Sequence, residues 1–175
     1  MTATAAPRPT SAEAIVDAAR AALVAVVDPE IPAISIVDLG IVHAVALIGA
    51  GLRVEILPTF IGCPAIELIR SAVAEQLEPL QADPANGLDR VEVLVSYAQP
   101  WTAARITERG RAALVASGFA PPGGGPQLIG LAPPATCPYC GSRRTVLENA
   151  FGPTRCRSIH YCTACRQPFE QFKDA

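Results

Sequence analysis

The sequence has little net charge, few histidines and no long apolar run. Its 14 lysines and arginines against 16 aspartates and glutamates give a formal net charge of −2, whereas a nucleic-acid binder needs a basic surface. No apolar segment reaches the roughly 20 residues that a membrane-spanning helix needs. Residues 1–10 also lack the apolar core of a signal peptide. We therefore expect a cytoplasmic protein that binds neither nucleic acid nor a membrane.

The scarcity of histidine bears on enzyme chemistry. The sequence contains two, His43 and His160, and a cysteine nucleophile usually takes its proton acceptor from histidine. Neither histidine can be assigned to a particular cysteine from its spacing. An enzyme with a thiol nucleophile is therefore an alternative hypothesis, and a pH–activity profile with a substrate would distinguish it.

Cysteine, by contrast, occurs six times, and five of the six lie in residues 137–175. Cytoplasmic thiols stay reduced, so these residues indicate metal binding or thiol chemistry before disulfides. Two C-x₂-C pairs, Cys137 with Cys140 and Cys162 with Cys165, flank two predicted strands. Two such pairs complete a tetrahedral site, which predicts a zinc ribbon with a structural zinc ion. A rubredoxin-like iron centre or a cluster is the alternative, since both also use four cysteines.

The rest of the chain predicts an α+β fold. Apolar periodicity, β-branched runs and turn residues predict a helix up to Asp28, strands over 34–48 and 52–57, a helix from Pro64, a strand over 91–95 and a helix ending at Gly118. The order α-β-β-α-β-α predicts helices packed on a small three-stranded sheet. We thus expect an α+β domain over residues 10–118, a linker rich in proline and glycine over 119–136, and the zinc ribbon over 137–175.

Cys63 is the candidate reactive thiol. It precedes Pro64, and proline favours the first position of a helix, so Cys63 is predicted to be the N-cap of the second helix. A thiol there faces unpaired backbone N–H groups and the positive end of the helix dipole, which lower its pKa. The alternative is a small buried residue at a strand–helix corner.

Cys156 is left over from the four-cysteine set. On the second ribbon strand it would lie about 20 Å from Cys162, at ~3.3 Å per residue, which is too far to share that metal. The favoured interpretation is a small apolar residue in the ribbon face. The alternative is a second thiolate donor that meets Cys63 across the interface between the two units.

Three ordered motifs resemble the SufT-type family of iron–sulfur assembly proteins. They are Asp-Pro-Glu-Ile-Pro at 28–32, Ile-Val-Asp-Leu-Gly-Ile-Val at 36–42 and Thr-Phe-Ile-Gly-Cys-Pro at 59–64. Further segments resemble one branch of that family, PaaD, the accessory proteins of phenylacetyl-CoA epoxidase: Pro-Trp-Thr at 100–102, Phe-Ala-Pro-Pro at 119–122, Phe-Gly at 151–152 and Pro-Phe-Glu at 168–170. The resemblance covers nearly the whole chain.

The resemblance implies a maturation factor for the multicomponent oxygenase of phenylacetate degradation, which installs or repairs iron or Fe–S centres without catalysing epoxidation itself. It implies that Cys63 is the reactive position, with Asp38 and Glu30 near it. The implied partners are oxygenase or reductase subunits of phenylacetyl-CoA epoxidase, or an Fe–S carrier. An alternative is a zinc-ribbon docking adaptor without metal-transfer chemistry.

The cofactors expected are a structural zinc ion and a transient iron ion or Fe–S cluster. One thiolate is too few for a stable cluster, since four ligands are usual. Transient binding at Cys63, or a site shared across a homodimer, is therefore expected. For Asp38 and Glu30 the alternative roles are those of a turn residue and of a solvated carboxylate.

Overall fold

The computed structural model describes residues 11–123 and 134–173. Within these ranges the helices are α1 (Ala12–Leu23), α2 (Ile66–Ala82) and α3 (Glu108–Ala116), and the strands are β1 (Val42–Ile48), β2 (Gly51–Ile56), β3 (Arg90–Val95), β4 (Phe119–Ala120), β5 (Thr145–Asn149), β6 (Arg157–Cys162) and β7 (Pro168–Phe172). The predicted start of the first unit, Thr10, and residues 124–133 of the predicted linker lie outside the described residues. No helix in the described part of the chain is long and apolar enough to cross a membrane.

The first unit has the predicted α+β architecture. Its sheet has the order β1-β2-β3, with β1 antiparallel and β3 parallel to β2. The parallel β2–β3 pair is joined by α2, as parallel strands require a crossover. The buried residues of α2 are Ile66, Ile69, Val73 and Leu77. This spacing produces one apolar face, which packs on the core of the sheet.

The first strand is shorter than predicted, because residues 34–41 form turns before β1 begins at Val42. In this segment Leu39 N–H donates to the Ser35 carbonyl at 2.8 Å and Gly40 N–H to the Val37 carbonyl at 3.0 Å. Gly40 has φ +72°, and a Cβ there would lie 2.5 Å from Arg105. The β-branched, apolar composition of this segment reflects its burial in the core rather than a strand.

The second unit is a ribbon whose sheet has the order β4-β7-β6-β5. β5, β6 and β7 are successively antiparallel, whereas β4 pairs in parallel with β7. β4 follows directly after α3 and lies at the start of the predicted linker. The ribbon sheet therefore takes its edge strand from the chain segment that leaves the α+β unit.

The ribbon packs against the α+β unit. Phe172 of β7 makes an edge-to-face contact with Trp101, with ring centroids 5.7 Å apart. Phe172 and Cys156 belong to the same buried apolar cluster as the side chains of α1, α2 and the first sheet. Trp101 in turn donates its indole N–H to the Leu39 carbonyl at 3.0 Å. The two units thus share one core, and this core fixes the position of the ribbon relative to Cys63.

Candidate metal centres

The four ribbon cysteines form a group that could hold a metal ion. The sulfurs of Cys137, Cys140, Cys162 and Cys165 all lie within 4.8 Å of one another. The Cys137 and Cys165 sulfurs are 3.7 Å apart, and those of Cys140 and Cys162 are 3.6 Å apart. A tetrahedral site with Zn–S bonds of about 2.3 Å has sulfurs about 3.8 Å apart. The donor set and its spacing therefore fit zinc.

The two knuckles that carry these sulfurs have matching backbone geometry. Gly141 N–H donates to the Cys137 carbonyl at 2.9 Å, and Arg166 N–H donates to the Cys162 carbonyl at 2.8 Å. Both donors have left-handed backbones, with φ of 71° at Gly141 and 61° at Arg166. These turns leave backbone N–H groups pointing at the sulfurs. The amide of Cys165 is the main cause that lowers the pKa of Cys162 to about 6, which favours the thiolate that a metal requires.

A second group of polar side chains lies where the two units meet. We call it the junction cluster, and it consists of Asp28, Glu30, Cys63, Cys156 and Arg157. The first three come from loops of the α+β unit and the last two from the ribbon. The Arg157 guanidinium Nη2 lies 3.4 Å from the Glu30 carboxylate and joins the two sides. The cluster thus brings together two thiols and two carboxylates.

Cys63 is half-buried in the junction cluster, and it is not a helix N-cap. The prediction of that cap was wrong, because α2 begins at Ile66 and its N-cap is Ala65. Burial raises the pKa of the Cys63 thiol; the Ala65 amide and the Thr59 side chain lower it, and the negative charges of Asp28 and Glu30 raise it. The net pKa is raised, contrary to the expected thiolate. The free thiol is therefore protonated at neutral pH.

The Asp28–Pro32 turn holds both carboxylates of the junction cluster. The Asp28 side chain accepts hydrogen bonds from the Glu30 amide at 2.8 Å and the Ile31 amide at 3.0 Å. Burial is the main cause of the raised pKa of Asp28, and the charge of Glu30 acts in the same direction. Sequence reasoning identified Glu30 and missed Asp28, although the spacing of two carboxylates around Pro29 was visible.

Cys156 lies one residue before β6, with its side chain buried. Its sulfur is 3.0 Å from the Thr154 hydroxyl. Burial is the main cause of its raised pKa, and the charges of Glu30 and Cys63 raise the pKa further while that of Arg157 lowers it. Cys156 is therefore part of the apolar core and also close enough to Cys63 for a charge on one sulfur to act on the other.

Arg157 was not predicted to be a site residue. Besides Glu30, its guanidinium binds the Glu170 carboxylate at 3.0 Å and the Thr154 hydroxyl at 3.0 Å, and it lies over the ring of Phe119. The only signal in the sequence was a charged residue inside an otherwise apolar and aromatic strand.

Asp38 lies in a different network from the junction cluster. Its carboxylate accepts hydrogen bonds from the Thr107 hydroxyl at 2.7 Å, the Ser35 hydroxyl at 2.9 Å and the Arg109 guanidinium at 2.9 Å. These contacts fix the turn before β1 against the N-terminus of α3. The resemblance implied that Asp38 lies near Cys63, whereas the carboxylates that act on the Cys63 sulfur are Asp28 and Glu30.

The two histidines have partners elsewhere. His43 is within 2.8 Å of the Gln99 amide nitrogen, and His160 is within 3.1 Å of the Ser158 hydroxyl. His160 also stacks on Phe169. These contacts place both rings outside the junction cluster.

An apolar groove borders the loop that carries Cys63. It has a volume of about 450 Å³ and is lined by Pro58, Thr59, Phe60, Ile61, Ser96, Tyr97, Gln99, Pro100 and Trp101. Ile61 is 84% exposed and Tyr97 is 63% exposed at its rim. Large apolar side chains at this exposure, next to a reactive residue, are typical of a surface that contacts another protein.

Two family models match different parts of the chain. The model of the PaaD zinc beta ribbon domain matches residues 122–173, and the model of an iron–sulfur cluster assembly protein matches residues 16–95. The chain is also 37% identical over 146 residues to an Escherichia coli (strain K12) protein, provisionally named as one of the subunits of 1,2-phenylacetyl-CoA epoxidase, the one designated D. That alignment covers 83% of this chain and 85% of the relative.

Solved structures resemble the α+β unit. A domain of unknown function (DUF59) from Bacillus anthracis is 31% identical with a TM-score of 0.51, over 58% of this chain and 92% of that chain. A conserved hypothetical protein from Thermotoga maritima is 26% identical with a TM-score of 0.44, over 55% of this chain and 89% of that chain. The first of these supports the α+β fold described above.

Proposed function

The chain belongs to the PaaD family of phenylacetyl-CoA epoxidase proteins, and on this premise we propose that it is an accessory maturation factor. It assists the insertion or repair of iron or Fe–S centres in the epoxidase and does not itself catalyse oxygenation. Its partners are then the oxygenase or reductase subunits that carry those centres, or an Fe–S carrier. A homodimer stays a prediction.

The junction cluster is the observation that carries this proposal. Cys63 lies inside the segment that matches the iron–sulfur assembly model, half-exposed and next to two carboxylates and a second thiol. A site that passes iron to a client must be reachable from outside and must release its cargo. Half-exposed donors on loops meet both requirements better than a closed cage.

The ribbon is proposed to hold zinc in a structural role. Four cysteine ligands fill a tetrahedral zinc ion and leave no open position for substrate or water. A closed site of this kind stabilises a fold and takes no part in chemistry. The same ribbon supplies Cys156 and Arg157 to the junction cluster, so it positions groups around Cys63 while its own metal stays inert.

Replacement of Cys63 by serine tests the maturation role. We expect the client component, co-expressed with Cys63→Ser, to contain at least about tenfold less iron and labile sulfide than with wild type, because the loss of a metal-site group typically costs 10- to 100-fold. The measurement is iron, sulfide and epoxidase activity of the purified client. Glu67→Gln, which changes an exposed carboxylate on α2, is the matched control and should behave as wild type.

The Cys63→Ser protein itself must retain one zinc per chain and its far-UV circular dichroism for the comparison to hold. A correctly folded Cys63→Ser protein that supports full maturation would overturn the proposal. The chain would then act as a docking adaptor without metal-transfer chemistry.

The apolar groove is proposed as the docking surface for an apolar segment of the client next to its own metal site. Its rim includes Ile61, two residues before Cys63, so a client bound there would face the junction cluster. Protein interfaces place such apolar residues at their centre.

We expect Ile61→Asp to weaken client binding by at least about tenfold, or roughly 1.4 kcal/mol, as measured by isothermal titration calorimetry with the purified client. Leu68→Asp is the control, because Leu68 is an exposed apolar residue on α2, 63% exposed, outside the groove. Equal effects of the two substitutions would exclude the groove as the docking surface.

A further inference from the structure

We infer that Cys63 and Cys156, together with the Glu30 carboxylate, bind a single ferrous ion, so that each structural unit supplies one sulfur ligand. This inference rests on the proposed maturation role and specifies its cargo as ferrous iron. It also assigns to the ribbon a direct part in metal transfer, in addition to its own four-cysteine site.

The first argument is position. Cys156 is buried in the shared core, and Cys63 packs against that same cluster from the other side of the junction. Glu30 approaches from the Asp28–Pro32 turn, and its carboxylate reaches Arg157, the residue next to Cys156. Three donor side chains from three separate segments of the chain thus converge on one point between the units.

The second argument is the chemistry of the donors. Fe–S clusters are usually held by four cysteines, or by cysteine together with histidine. Thiolates favour soft metals and carboxylates favour hard ones, so a mixed set suits a divalent ion of intermediate character. Ferrous iron is the ion of this character that an oxygenase maturation factor would carry. The donors therefore favour one iron ion over a preassembled cluster.

The third argument is charge. Two thiolates and a carboxylate would place three negative charges between the units. The buried Arg157 guanidinium already lies against Glu30 and offsets part of that charge, and a divalent ion offsets the rest. Arg157 remains anchored by Glu170 at 3.0 Å when Glu30 turns away, so the guanidinium can release Glu30 without losing its place in the ribbon.

The fourth argument concerns release. In the described parts of the chain, the ribbon sulfurs are the group of three or more donors that lie mutually within 4.8 Å. The junction donors are farther apart and must draw together around an ion. The 3.4 Å contact of Glu30 with Arg157 is long, and the Glu30 side chain is 27% exposed. A site that closes only around its ion binds less tightly than a preformed one and gives the ion up to a client.

The test is an anaerobic titration of the zinc-loaded full chain with ferrous iron. We expect one iron per chain beyond the zinc, and protection of both Cys63 and Cys156 from iodoacetamide, read by mass spectrometry. Cys156→Ser should weaken iron binding at least about tenfold and reduce the thiolate-to-iron charge-transfer absorbance, which counts sulfur ligands. Glu30→Gln should also weaken binding, whereas Glu67→Gln should bind as wild type.

The outcomes separate this inference from the maturation role. If Cys63→Ser abolishes iron binding and Cys156→Ser leaves it unchanged, the two-thiol site is overturned and the role of Cys63 stands. If neither substitution matters, both fall. Binding of a cluster with labile sulfide, but not of ferrous iron, also overturns the inference. Should Cys156→Ser lose its zinc or its fold, the alkylation result for the wild type decides, because an unprotected Cys156 contradicts the site.

Discussion

Removal of zinc from the four-cysteine site unfolds the ribbon and leaves the α+β unit folded but less stable. The binding free energy of structural zinc is about 10–16 kcal/mol in small zinc domains at neutral pH, which exceeds what the ribbon can gain from burial. Its own apolar cluster is small, with Ala120, Ala135 and Phe169 beside two of the cysteine ligands. The α+β unit loses only the contacts made by Phe172 and Cys156.

Amide hydrogen exchange of the holo and the chelated protein measures this effect. Protection of β6 and β7 should disappear with the metal, while β2 should stay protected with reduced free energy. The alkylation rate of Cys63 should rise in the same experiment, because the ribbon no longer covers it. Cys140→Ser offers an independent route, since it removes one ligand. Persistent protection of β6 and β7 in the metal-free protein would contradict the prediction.

Asp38→Ala should lower the free energy of unfolding by about 3 kcal/mol, since a buried acceptor that satisfies several donors is lost. The Asp38 side chain is 11% exposed and accepts from Ser35, Thr107 and Arg109. The Ser35 and Thr107 hydroxyls lose a buried partner in the variant. Arg109 is 66% exposed, so water compensates for much of its loss. Urea denaturation of the zinc-loaded protein measures the change.

The same carboxylate predicts an acid-dependent loss of stability. Burial raises the pKa of Asp38, but hydrogen bonds from Arg109, Thr107 and Ser35 outweigh burial and lower the net pKa below the ordinary value. A group with a depressed pKa stabilises the folded state above its unfolded pKa, and this contribution is lost as the pH falls through the folded pKa. Stability of Asp38→Asn should therefore decline less steeply than that of wild type below about pH 4.

Glu92→Gln is the matched control for both Asp38 variants. Glu92 forms an exposed pair with Arg53 across β2 and β3, and pairs of this kind contribute about 0–1 kcal/mol. If Asp38→Ala destabilises the protein no more than Glu92→Gln, the network around Asp38 does not hold the turn before β1.

The features that the sequence predicts well are local. The two C-x₂-C pairs carry the ribbon, because their spacing alone brings four sulfurs together around one ion. The element order of the first unit is confirmed because each helix and strand has its own periodicity. Ile34 and Ile36 misled the strand prediction, since burial selects the same β-branched residues whether or not the backbone forms a ladder.

The chemistry of Cys63 was predicted less well. A proline after a cysteine favours an early helix start, but the chain forms a turn from Phe60 to Cys63 and the helix begins later. The helix dipole acts mainly within the first turn, so a thiol outside the cap gains little from it. Burial and two nearby carboxylates then dominate. The roles of Cys63, Glu30 and Asp38 in metal transfer stay predictions.

The junction cluster could not be derived from the sequence. Glu30 and Arg157 are 127 residues apart, and nothing local to either specifies the other. Their contact depends on how the ribbon packs, which is set by Phe172, Trp101 and the β4–β7 pairing. Cys156 was recognised as a leftover thiol, but its partner could be found only in three dimensions.

The shared core also limits how this protein can evolve by recombination. A ribbon taken from an unrelated protein would bring two knuckles and a zinc ion, yet it would lack Phe172, Cys156 and Arg157, whose partners lie in the other unit. Such a chimera would leave Trp101 and Glu30 without their contacts. The two units are therefore inherited together, and substitutions on one side of the junction constrain which substitutions the other side can accept.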